Sequence, residues 1–119
     1  MAVVHGAIYT ISGAWPLLAL DSFLLVTGPK LDLWLVRTVG LLLALDGLVL
    51  LACAVRRSVP GAVVALVCAH ALGLALVDLV YVSLGRIPPV YLADALLEAL
   101  LIAGWSWAWK RRIPLLAVS

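Results

Sequence analysis

The stretch LWLVRTVGLLLALDGLVLLACAV, from Leu33 to Val55, decides the fold. Apart from Arg37, Thr38 and Asp46 it is built almost wholly from Leu, Val, Ala and Gly. A run of roughly 20 apolar residues matches the ~30 Å hydrocarbon thickness of a bilayer when coiled as an α-helix. Lipid offers no partner to a backbone N–H or C=O, so a spanning segment of this kind must be helical.

Three more apolar stretches flank it, and breakers separate them. Thr27-Gly-Pro-Lys30 ends the first, because Gly and Pro stop a helix and Lys30 prefers water. Arg56-Arg57 ends the second. Ser58-Val-Pro-Gly61 opens the third, and Gly85-Arg86-Ile-Pro-Pro89 closes it. Lys110-Arg111-Arg112 stops the fourth. The expected spans are residues 7–26, 33–55, 61–84 and 90–109. Their short links predict antiparallel neighbours. The expected architecture is therefore all-α: one transmembrane domain over residues 1–119, with four helices in an antiparallel bundle.

Composition agrees. Of the 119 residues, 66% are hydrophobic and 12% charged, and the mean hydropathy is +1.24. A soluble domain is about 25% charged. The net charge of +2 is too small to argue for nucleic acid, and the basic residues sit at segment ends. Before the first apolar stretch only His5 breaks the apolar run, so no basic leader precedes it and the segment is expected to be a retained span. Cys53 and Cys68 fall in apolar stretches without a CxxC spacing, which predicts two free thiols.

Arg56, Arg57, Lys110, Arg111 and Arg112 lie at one set of span ends, and Lys30, Arg37 and Arg86 at the other. The positive-inside rule then places both termini in the cytoplasm. Trp105, Trp107 and Trp109 mark the cytoplasmic interface, and Trp34, Tyr81 and Tyr91 the outer one.

Ionisable groups inside membrane spans are rare and usually face a bundle interior or a wet cavity. The candidates for a ligand or proton site are Asp21, Arg37, Asp78, Asp94, Glu98, Asp46 and His70. Counted at ~1.5 Å per residue, Asp21, Arg37, Asp78 and Asp94 lie about 6–9 Å below the outer span ends. Glu98 is one turn deeper than Asp94 and shares its face. These five are expected to converge on a polar pocket opening outward, with Asp94 keeping a charge and Glu98 a proton. Asp46 and His70 are deeper, each ~14 Å from its cytoplasmic end. Asp46 is expected to meet His70, or Tyr9, Thr10 and Ser12 of the first span. The same acids could instead serve only to pair helices.

No Glu-x-x-His pair occurs, which argues against a bundle metal site, and no cofactor is expected. His70 as a pigment or haem ligand stays open, although no CxxCH accompanies it. Pro16 cannot donate to the Ser12 carbonyl, so a kink is expected in the first span. A faint repeat pairs Asp21 and Gly28 with Asp78 and Gly85.

The run Ser22-Phe23, Val26-Thr-Gly-Pro-Lys30, Asp32 and Trp34-Leu-Val-Arg-Thr-Val-Gly40 resembles a group of small four-span bacterial membrane proteins, as does Arg86-Ile-Pro-Pro-Val-Tyr-Leu-Ala-Asp94 with Glu98. The resemblance covers most of the chain and implies a bacterial inner (cytoplasmic) membrane location. It implies no activity. Small multidrug transporters share the length and the four spans, but their key Glu in the first span has no counterpart here. Sterol-isomerase-like proteins also use buried acids, without a motif match.

Three function classes follow. The first is binding of a small molecule or lipid in an outward-facing polar pocket, with proton-coupled transport as its extension. The second is a structural accessory of a larger membrane complex. The third, less favoured, is a membrane-embedded enzyme acting on a lipid-like substrate. The expected partners are the bilayer, such a ligand, and a second copy or a larger complex.

Overall fold

The computed structural model describes residues 1–28, 30 and 32–118, with side chains through Lys110. Among these residues there are five α-helices and no strand: α1 (Ala2–Leu18), α2 (Leu20–Thr27), α3 (Leu33–Val55), α4 (Gly61–Ser83) and α5 (Val90–Val118). By length and composition α3, α4 and α5 can each cross a membrane, and α1 with α2 makes a fourth candidate if the bent pair is one span. The chain forms two compact units, Ala2–Pro60 and the residues from Gly61 onward.

The first unit pairs α1 with α3 through glycine. Gly6 and Gly13 stand seven residues apart on α1, and Gly40 and Gly47 seven apart on α3. A Cβ placed on Gly40 would lie 2.6 Å from the Gly13 carbonyl oxygen, and one on Gly47 2.6 Å from that of Gly6. Position rises on one helix as it falls on the other, so the pair is antiparallel. Ala2, His5, Tyr9 and Pro16 extend the buried stripe of α1; Ala44 and Leu50 extend that of α3. Small residues let helix backbones approach closely, which is the main route to tight pairing where lipid is as apolar as leucine.

The first span departs from the expected single helix over residues 7–26. Helix begins at Ala2, since nothing before Ala7 breaks it, and Pro16 is accommodated inside α1. The turn comes three residues later. Ala19 leaves the helical region (φ −143°, ψ 63°) and α2 departs at 109° to α1. Side chains lace this elbow. The Trp15 indole N–H donates to Ser22 Oγ at 2.8 Å, and the Ser22 hydroxyl donates to the Ala19 carbonyl at 3.0 Å. The Trp15 and Phe23 rings meet edge-on at 5.4 Å. Gly28 ends α2 at φ +92°. The Lys30 ammonium donates to the Thr27 and Gly28 carbonyls and to Thr27 Oγ1, placing a cation where the helix dipole is negative.

The second unit is the α4–α5 hairpin. Val67, Ala71, Ala75 and Asp78 form the buried stripe of α4. Ala95, Glu98, Leu101 and Trp105 are the buried positions of α5. Gly85 turns the chain at φ +71°, and the Arg86 N–H bonds the Tyr81 carbonyl as in a glycine-terminated helix. Pro88 and Pro89 precede α5, where a missing N–H does no harm.

Substituting the seam should separate its effect from helix propensity. Gly40→Ala forces a methyl group against backbone and should destabilise by about 1–3 kcal/mol. Gly73→Ala in α4 meets nothing within 4 Å and should leave thermal unfolding in detergent unchanged or slightly improved. Equal melting temperatures for the two variants would show that the seam is not tight.

Candidate functional site

Three of the seven candidate side chains come together within one hairpin. Asp78 lies on the last turns of α4, and Asp94 and Glu98 on the first turns of α5. Antiparallel pairing brings these ends side by side. Asp94 and Glu98 are the neighbouring acids that act on Asp78 electrostatically. Asp78 is 5% exposed and Glu98 3%, while Asp94 is half-buried. The second carboxyl oxygen of Asp78, Oδ2, is buried and accepts no hydrogen bond.

A hydrogen bond between two carboxyl groups has a definite stoichiometry. An ionised carboxylate is an acceptor only, so one partner must carry a proton. Two neighbouring carboxyl groups can share one proton only if one of them stays protonated, and Asp78 and Asp94 are near enough to act on one another. Asp94 is the most exposed of the three. Among the described residues no three His, Cys, Asp or Glu side chains are grouped so as to hold a metal ion.

Of the remaining candidates, Asp21, Arg37 and Asp46 belong to the first unit and His70 to α4. Asp21 opens α2 and Arg37 sits on the first turns of α3; both side chains are exposed and both belong to the first unit. The bend at Ala19 explains Asp21, because depth counted along a straight helix does not apply beyond it. Asp46 is half-buried on α3, and His70 is exposed on α4.

Asp46 acts electrostatically on a residue that sequence reasoning passed over, His5 of α1. His5 is 0% exposed and meets the Tyr9 ring edge-on at 4.2 Å. The signal was available: His5 and Tyr9 are four apart, and Gly6 and Gly13 repeat at seven on the same face. Only the assumption that the helix begins at Ala7 hid it. Cys53 and Cys68 are half-buried free thiols. The repeat survives in its glycines, which both take positive φ after a helix, but not in its acids, since Asp21 is exposed and Asp78 is not.

No family model, curated protein or solved structure matches this chain.

The pair can be probed by replacing Asp94. Asp94→Ala strands the buried Asp78 carboxyl and should destabilise by about 1–3 kcal/mol. Asp94→Asn still presents a donor to Asp78 and should stay near the parent. Asp21→Ala, at an exposed site, should fall within about 0.5 kcal/mol. Thermal unfolding in detergent ranks the three, and an Asp94→Ala protein as stable as Asp94→Asn would dissolve the pair.

Proposed function

We propose that the chain is a four-span bacterial membrane protein with both termini cytoplasmic. It binds a cationic or polar small molecule or lipid at the Asp78–Asp94–Glu98 cluster, in exchange for the proton held between the aspartates. The membrane part rests on the length and composition of the helices and on their surfaces. Leu42, Leu45, Leu48 and Val49 of α3, Leu72, Leu76, Leu79 and Val80 of α4, and Leu92, Leu96 and Leu100 of α5 are all exposed. Water would not tolerate that surface, whereas lipid does. The orientation rests on the basic clusters that end α3 and fall within α5.

The observation that carries the site is the buried Asp78 carboxyl, its Oδ2 without a partner, beside Asp94 and the buried Glu98. A bridging proton neutralises one charge in surroundings where charge is expensive. A cation can take over that compensation. When it docks against the pair, the proton leaves and the two carboxylates share the incoming positive charge. One charge enters as one leaves, so the exchange is neutral. The half-buried Asp94 gives the cation a first contact. The packed Asp78 and Glu98 supply a setting in which ionised oxygens bind a cation more strongly than in water.

Tetraphenylphosphonium serves as a probe cation. Added to the detergent-solubilised protein in weak buffer with a pH-indicator dye, it should release about one proton per cation bound, as the neutral exchange requires. Asp78→Asn should bind the cation more weakly and release none. Binding without proton release, or release unchanged in Asp78→Asn, would remove the exchange. No binding at all would favour the accessory-subunit reading, in which the acids only hold helices together.

A further inference from the structure

At the end of the α4–α5 hairpin away from the acids, the two helices part around a groove of about 530 Å³. Gly61, Val64, Ala65 and Cys68 form its α4 wall, and Trp105, Ser106, Trp109 and Lys110 its α5 wall. The wall residues of α4 recur at three- and four-residue spacing, so they share one helix face. They are small, which leaves the space open: a Cβ on Gly61 would come no nearer than 4.0 Å to the Trp109 ring. Trp105 and Trp109 are four apart and share a face as well. The Ser106 hydroxyl is turned inward to the Ile102 carbonyl at 3.0 Å, so it adds little polarity. The groove is thus apolar along its length and carries a cation, Lys110, at one end. In the sequence Lys110 opens the basic run Lys110-Arg111-Arg112.

We propose that this groove binds an anionic phospholipid of the surrounding leaflet. One acyl chain lies against Val64, Ala65 and Cys68 beside the Trp105 and Trp109 rings, and the headgroup phosphate sits at the Lys110 ammonium. Charge complementarity selects this occupant. An acyl chain alone satisfies the walls, but only an anionic headgroup uses the lysine. Basic pockets between spanning helices recognise anionic headgroups through such contacts, and tryptophan favours the headgroup level. The inference rests on the membrane-spanning part of the proposed function and not on the acid cluster at the other end of the hairpin.

Tryptophan quenching in bilayers tests it. The full chain carrying Trp15→Phe, Trp34→Phe and Trp107→Phe keeps its indoles only at the groove. Reconstituted into bilayers, it is titrated with brominated phosphatidylglycerol or brominated phosphatidylcholine. The anionic lipid should reach half-quenching at about fivefold lower mole fraction, the preference one basic residue near the headgroups provides. Lys110→Gln should erase most of that preference. Ala65→Phe, which fills the groove, should weaken quenching by both lipids. Native mass spectrometry of the unaltered chain gives a second readout: retained phosphatidylglycerol, lost with Ala65→Phe. Equal quenching by the two headgroups would overturn the proposal. So would a dimer whose indoles neither lipid quenches, since a second copy would then cover the groove. A chain that fails to insert into the bilayers would instead strike the spanning reading itself.

Discussion

A helix surrounded by lipid gains nothing by burying leucine, and in the proposed membrane setting the packing depends on that constraint. Pairing has to come from close backbone contact or from polar groups. The chain uses one device in each unit. In the first, Gly6 and Gly13 lie against Gly47 and Gly40 so closely that a methyl group would collide with backbone. In the second, the buried stripes combine Val67 and three alanines with Leu101, Trp105 and two acids, Asp78 and Glu98. Leucine meanwhile is spread over the exposed faces, the reverse of a soluble protein.

That division separates packing from chemistry. The glycine seam already sets the register of α1 on α3 without any charge. Asp78, Asp94 and Glu98 are far more acid than a helix pair needs, since polar contacts between spans are worth only about 0.6 kcal/mol on average. In the proposed function a single shared proton lets two of these carboxyl groups sit together. It also makes the cluster responsive, because whatever removes the proton must supply a positive charge in its place.

Much of this was legible in the sequence, and the reasons are physical. The helices α3 and α4 begin and end within a residue or so of the breakers that flank them, whereas α5 runs on to Val118, past the Lys110-Arg111-Arg112 run expected to stop it at residue 109. Asp94 and Glu98 were placed on one face by their four-residue spacing, and the antiparallel link brought Asp78 to them. The elbow at Ala19 was not legible at that position. Proline marked the region, but the turn falls where Trp15, Ser22 and Phe23 fasten it, and those contacts exist only after the chain has bent. Asp21 lies beyond the same elbow, where a depth counted along a straight helix does not apply. The Asp46 neighbour His5 was hidden by a helix start set five residues too late. Of the tryptophans expected at the cytoplasmic interface, Trp105 is packed, 7% exposed, while Trp107 faces outward. Helical phase, not proximity to the basic run, decides between them.

The central claim is that Asp78 and Asp94 share a proton in the resting protein. Infrared spectroscopy of the chain labelled with 13C at the aspartate carboxyls tests it most directly. The expected result is a protonated-carboxyl C=O band at neutral pH that shifts on labelling and disappears in Asp78→Asn. A spectrum showing only ionised aspartates at that pH, or a labelled band that persists unchanged in Asp78→Asn, would contradict it.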